Sequence, residues 1–164
     1  MTRIGLLSDT HGLLDERVFR HFATCDEVWH AGDWGSMDVV RRLQAFQPCA
    51  ACGATSTGRT SAAFPRHNRF RCEEVDVWMT HIGGYPGRYD RSVMPDIFRQ
   101  PPRLFISGHS HILKVKYDRS LGLLHINPGA AGRYGFHLVQ TLVRFEIDGS
   151  NIQNLEVIEL AQDE

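Results

Sequence analysis

The sequence predicts an α/β fold whose first half alternates strand and helix and whose second half is rich in strands. Three observations carry this. Short apolar runs alternate with segments of helical periodicity from Arg3 to Cys52. From Arg69 onward, apolar runs follow one another across turns. In both halves the runs end in aspartate, histidine or glycine. Strand–helix–strand alternation argues for parallel strands with crossover helices. Strand–turn–strand succession argues for hairpins. The expected assembly is two sheets packed face to face, with helices outside.

Each element has its reason. Arg3 to Ser8 reads as a buried strand, and Asp15 to Thr24 places Val18, Phe19, Phe22 and Ala23 at helical spacing. Asp26 to His30 is a second strand closed by a turn at Gly32. Asp38 to Phe46 repeats the helical pattern with Val39, Val40, Leu43 and Phe46, and Pro48 stops it. Cys49 to Cys52 is the third strand. Arg69 to Cys72 and Val75 to Thr80 pair across Glu73-Glu74. Residues 83 to 87 form a glycine-proline loop. Asp90 to Arg99 is a helix ahead of Pro101-Pro102, and Leu104 to Ser107 is a strand. Leu113 to Tyr117, Leu123 to Ile126, Val139 to Ile147 and Ile152 to Leu160 complete the strands.

A length of 164 residues suits one domain spanning the chain. A net charge of -1 provides no basic field for nucleic acid, so no nucleic-acid partner is expected. No apolar stretch reaches the roughly 18 residues of a membrane span, and the opening residues do not resemble a signal peptide. A cytosolic protein is expected, with its oligomeric state open. Cys25, Cys49, Cys52 and Cys72 are expected to be reduced. Cys49 and Cys52 have redox spacing but lie in a strand rather than at a helix start.

The chemistry sits at strand ends, in Ser8-Asp9-Thr10-His11-Gly12, His30-Ala31-Gly32-Asp33, Cys52-Gly53-Ala54, Thr80-His81 and Gly108-His109-Ser110-His111. Carboxylates and imidazoles delivered from neighbouring strand ends can converge on a divalent cation. An isolated Asp-x-His or Gly-Asp is weak evidence, since Gly-Asp is also an ordinary turn. His109 and His111, flanking Ser110 behind a glycine, are stronger.

In this order, and followed by Asn127-Pro128-Gly129, the clusters resemble those of the calcineurin-like metallophosphoesterases, in particular their small bacterial and archaeal phosphodiesterase branch. The resemblance runs from Ile4 to about Leu160. It implies a four-layer α/β/β/α sandwich and a metal-dependent phosphodiesterase or phosphatase acting on small phosphate esters. It further implies a dinuclear centre, often manganese, with zinc, iron or nickel as alternatives, and a metal-bridging hydroxide. Position by position, Asp9, His11 and His111 would hold the first metal, Asp33 would bridge, and His81 and His109 would hold the second. Asp33 and His109 would be the catalytically decisive pair. Asn127 matches the family's loop near the site in a supporting or substrate-binding role. Beside these, Arg88 could pair with a substrate phosphate and Tyr85 could stack on a base.

One departure weakens the second metal site. The family places asparagine after the glycine of the third cluster, where this chain has Ala54, and Thr55 and Ser56 follow. Nothing in its spacing brings Asn68 there instead. This departure sustains an alternative function, a non-catalytic protein-binding scaffold on the same fold, for which the scaffold subunit of the retromer coat is a precedent. If position 54 faces the second metal, Ala54→Asn should tighten manganese binding there by at least about 10-fold, the lower end of what outer-sphere losses cost. Calorimetric titration measures this. Unchanged second-site affinity removes Ala54 from that role.

Overall fold

The computed structural model describes residues 1–53, 64–133 and 139–160. The first half runs β1 (Thr2–Leu7), α1 (Arg17–His21), β2 (Glu27–His30), α2 (Met37–Phe46) and β3 (Cys49–Ala51). The second half contains β4 (His67–Cys72), β5 (Val75–Thr80), a small hairpin of β6 (Gly84–Tyr85) and β7 (Arg88–Tyr89), and α3 (Asp96–Arg99). It continues with β8 (Leu104–Ile106), β9 (Lys114–Asp118), β10 (Leu123–Asn127), β11 (Gln140–Asp148) and β12 (Asn151–Leu160).

Two five-stranded sheets result, ordered β12-β11-β1-β2-β3 and β4-β5-β8-β10-β9. β1, β2 and β3 are parallel, as the crossover pattern requires. The chain returns to this sheet at its end, where β11 lies antiparallel to β1. In the second sheet β5, β8 and β10 are mutually parallel, with β4 and β9 antiparallel at the edges. Both sheets are therefore mixed.

Strand alternation sorts the core into layers. Ile4, Leu6, Trp29, Val143 and Phe145 of the first sheet pack against Val77, Met79, Leu104 and Ile106 of the second. Leu7 and Val28 point the other way, toward Val18, Phe22, Val39, Val40 and Leu43 on the helical side. Phe105, Trp78 and Leu123 point outward from the second sheet onto Val93 and Ile97. This is the four-layer α/β/β/α sandwich. Each fully buried Val or Leu on α2 contributes roughly 1.5–3 kcal/mol.

Two predicted helices are shorter than their patterns suggest. The Asp15–Thr24 pattern yields helix only over Arg17–His21. Val18 and Phe19 bond three residues back rather than four, so the turn enters tightly. The Asp90–Arg99 segment is split. Arg91–Val93 is one 3₁₀ turn capped by the Asp90 carboxylate, and α3 starts after Pro95. Pro95 lacks an N–H and holds Met94 extended, which breaks the helix. The glycine-proline loop likewise supplies β6 and the turn of the β6–β7 hairpin, whose second strand is Arg88–Tyr89. The four cysteines are free thiols, and burial pushes Cys25 and Cys72 up to about 11 and Cys49 to about 12. No helix among the described residues is long and apolar enough to cross a membrane.

The seam between α1 and the sheet depends on Gly5. A Cβ there would lie 2.6 Å from the ring of fully buried Phe22. Gly5→Ala should lower stability by about 1–3 kcal/mol, the usual cost of overpacking, seen as a lower urea midpoint. An unchanged midpoint would show that Phe22 moves aside without cost.

Candidate metal centre

Parallel pairing of β1 and β2 continues past both strands. The Ala31 N–H bonds to the Leu7 carbonyl, Asp9 to Gly32 at 3.0 Å, and His11 to Asp33 at 3.1 Å. The two loops thus advance in register and carry Asp9, His11 and Asp33 to one edge. The second sheet brings His81 from the end of β5, and the loop after β8 brings His109 and His111. Gly108 lets that loop come close, because a Cβ on it would lie 2.3 Å from Ser8 Oγ and 2.9 Å from Asp9 Oδ2. The Gly108 N–H bonds to the His81 carbonyl at 2.9 Å, tying the two ligand segments together.

Asp9 lies at the centre and is fully buried. Its Oδ2 accepts from Ser8 Oγ at 2.8 Å and from the His109 N–H at 3.1 Å. Among the described residues its Oδ1 has no hydrogen-bond partner. That oxygen lies 3.3 Å from His111 Nε2, 3.5 Å from His81 Nε2 and 3.9 Å from His11 Nε2. His81 is oriented by its other nitrogen, which donates to the Ala31 carbonyl at 2.9 Å. Its Nε2 is left as the electron-pair donor, and it too is buried and has no hydrogen-bond partner among the described residues. His11 Nε2 lies 3.2 Å from His111 Nε2 and 3.2 Å from Asp33 Oδ2. Two groups place their ligand atoms within 4.8 Å of one another, namely Asp9–His11–His111 and Asp9–Asp33–His81. His109 belongs to neither group, although its ring centre is 5.3 Å from that of His81. Asp9 is common to both groups, whereas Asp33 falls in one. Unpartnered buried lone pairs among carboxylates and imidazoles fit a divalent cation, which takes such atoms as ligands.

The backbone at these residues is unusual. Asp9, His11, Asp33, His109 and His111 all adopt positive φ, between 51° and 73°. Such a conformation is uncommon for non-glycine residues and marks functional geometry.

Two residues brace this arrangement, His30, whose part the sequence left undefined, and Asn127, expected in a supporting or substrate-binding role. His30 is fully buried, accepts from the Gly32 N–H at Nδ1 (3.1 Å) and faces Thr10 Oγ1 at Nε2 (3.0 Å). The Thr10 hydroxyl donates onward to the Trp34 carbonyl at 3.0 Å, so His30 joins the two ligand loops. Asn127 donates to the Gly108 carbonyl and to Ser110 Oγ, both at 3.1 Å, and accepts from the Gly129 N–H at 3.0 Å. Those bonds hold the segment that carries His109 and His111. Ala54, Thr55 and Ser56 lie outside the described residues. Asn68 donates to the Ala51 carbonyl at 3.0 Å.

A cavity of about 520 Å³ adjoins the centre on the His109 side. Tyr85, Arg88, Lys114, His125 and Asn127 line it with His109. The Lys114 ammonium lies 3.9 Å from the centre of the Tyr85 ring, over one of its faces. His125 had no signal in the sequence, since a lone histidine inside a strand reads as core.

The fold and the half-bare carboxylate among imidazoles make this sheet edge a candidate metal centre. The Calcineurin-like phosphoesterase superfamily domain matches residues 2–150, and the chain belongs to that superfamily. It is similar to a probable metallophosphoesterase from Methanothermobacter thermautotrophicus, with 27% identity over 77% of this chain and 76% of the relative. Among solved structures, Vps29 of Chaetomium thermophilum has a TM-score of 0.78 at 12% identity, covering 100% of this chain and 88% of that one. An archaeal phosphodiesterase has a TM-score of 0.70 at 17% identity, covering 96% and 99%. The two structural likenesses show the fold.

The buried His30 has a consequence for acid stability. Burial, then His81 and His11 nearby, push its imidazole down to about 3. The unfolded chain takes up that proton near 6.5. The contribution is thus complete above pH 6.5 and is lost as pH falls from there toward 3. In EDTA, lowering pH from 7.5 to 5 should remove up to about 2 kcal/mol through this group. His30→Gln should be less stable at pH 7.5 but show a flatter urea-midpoint profile. Equal slopes in the two proteins would dismiss His30 as the source.

Proposed function

We propose that this chain is a phosphodiesterase that hydrolyses small phosphate esters with two divalent cations, manganese foremost. The observation that carries the reading is the pair of buried, unpartnered ligand atoms, Asp9 Oδ1 and His81 Nε2. Leaving such atoms unsatisfied costs about 1–3 kcal/mol each, and a cation answers both at once. Asp9, His11 and His111 would hold one ion. Asp33, His81 and His109, with Asp9, would hold the other. Two cations there supply charge neutralisation for a phosphate and acidify solvent into a nucleophile near neutral pH. Mixed carboxylate and imidazole donors suit manganese, zinc or iron better than calcium.

The remaining residues position the reaction. The His81 tautomer is set by the Ala31 carbonyl. Asn127 and Gly108 fix the loop bearing His109 and His111. Arg88, at the cavity wall, suits a phosphate oxygen. The reading places the protein in the cytosol, with a small-molecule partner.

A protein-binding scaffold is the second reading, favoured by the overall likeness to Vps29. Both readings share the centre and differ in turnover. Manganese should raise the melting temperature and EDTA lower it, because the site exists only in the folded chain. Manganese-loaded protein should hydrolyse bis-p-nitrophenyl phosphate, and Asp33→Ala and His109→Ala should each reduce that by more than about 100-fold. Asp33→Ala should be the more severe, because Asp33 stands with Asp9 and His81 and its Oδ2 also lies 3.2 Å from His11 Nε2 of the other group. Activity within a few-fold of the parent in either variant would remove that residue from the mechanism. Activity that survives exhaustive chelation would sink the metal reading. Metal binding with no hydrolysis would favour the scaffold.

A further inference from the structure

We infer that the cavity beside His109 is the subsite for the ester's organic group, and that His125 selects esters whose organic group carries a hydroxyl or amino hydrogen-bond donor. This rests on the phosphoesterase reading and narrows its substrate class.

The argument begins with β10. Leu123, His125 and Asn127 share the outward face of the second sheet, since Leu123 packs in the outer layer and Ile126 in the inner one. His125 is 1% exposed yet lines the cavity. Its Nδ1 lies 3.1 Å from the Phe105 carbonyl on the neighbouring parallel strand. A carbonyl only accepts, so Nδ1 carries the proton and donates. The ring is further set by its tilted contact with Phe105, centres 5.6 Å apart. Nε2 is then the lone-pair nitrogen. Among the described residues it has no hydrogen-bond partner, and it is not among the buried atoms left unpartnered, Asp9 Oδ1, His81 Nε2 and Arg144 Nε. It therefore opens on the cavity.

Burial pushes this imidazole down to about 4, so the acceptor persists at neutral pH. Arg88 and Lys114 line the same cavity and bring only N–H donors on their side chains. They suit the phosphate's charge. His125 instead offers a lone pair, which suits a donor on the organic group. An apolar group there would leave Nε2 desolvated and unmet, the type of mismatch that gives strong discrimination.

Two substrates with one leaving group test this, glyceryl p-nitrophenyl phosphate and propyl p-nitrophenyl phosphate. The manganese-loaded parent should favour the glyceryl ester by about tenfold in kcat/KM, mainly through KM, as a net hydrogen bond of about 1.4 kcal/mol gives. His125→Phe should abolish the preference. His125→Gln, whose amide can donate to the Phe105 carbonyl and present its oxygen, should restore most of it. A second measurement needs no variant. In protein with ¹⁵N-labelled histidine, the His125 Nε2 resonance should shift on titration with glycerol 1-phosphate and stay put with propyl phosphate. A parent that does not discriminate, a preference that survives His125→Phe, or equal shifts with both probes overturns the inference. Hydrolysis of neither ester overturns the phosphoesterase reading itself, and this inference with it.

Discussion

One half-satisfied carboxylate organises the candidate metal centre of this protein. Asp9 is fully buried, with Oδ2 held by Ser8 and the His109 N–H, and Oδ1 without a hydrogen-bond partner among the described residues. An ionised oxygen withdrawn from water costs several kcal/mol unless something compensates. Three imidazole nitrogens within 3.9 Å surround it, from three different segments of the chain. No single loop could deliver them. Both sheets must close on each other before the surround exists, so the inter-sheet core of Ile4, Leu6, Met79 and Ile106 is a condition of the site as well as of stability.

Closing the ring of ligands has a cost in backbone conformation. Five site residues sit in the left-handed region, which disfavours side chains by about 1–2 kcal/mol per residue. Such strain persists only where the surroundings over-determine it. Here the surroundings are specific. The register of the first two loops is locked by Asp9-to-Gly32 and His11-to-Asp33 bonds. His30 ties those loops through Thr10, and Asn127 ties the third through Gly108 and Ser110. A cation bound to the folded chain would offset part of this cost.

Much of this was readable from residues alone, for a physical reason. Buried parallel strands are continuous apolar runs, so their ends are sharply marked, and Asp9, Asp33, His81 and His109 stand just past those ends. The segment from Asp90 to Arg99 does not run as the one helix expected ahead of Pro101-Pro102, because Pro95 inside it has no N–H and decides locally. The return of β11 to the first sheet was not legible, since pairing between β1 and β11 joins residues far apart in sequence. The site was legible as a set of residue types and not as pairings. The His11–His111 approach at 3.2 Å spans a hundred positions and leaves no local trace.

The histidines show why composition could not assign roles. What separates them is how many ring nitrogens the fold has already engaged. His30 has both engaged, one by the Gly32 N–H and one by Thr10, and so can only brace. His81 has one engaged, by the Ala31 carbonyl, and turns its other nitrogen toward Asp9. His125 also has one engaged, by the Phe105 carbonyl, but faces a cavity and not a carboxylate. Backbone neighbours thus set each tautomer, a carbonyl for His81 and His125 and the Gly32 N–H for His30, and the tautomer sets which lone pair remains. The same residue type is left with no lone pair to offer, with one beside a carboxylate, or with one facing a cavity, according to the backbone neighbour it meets. That neighbour is fixed by register, which is a property of the fold and not of any motif.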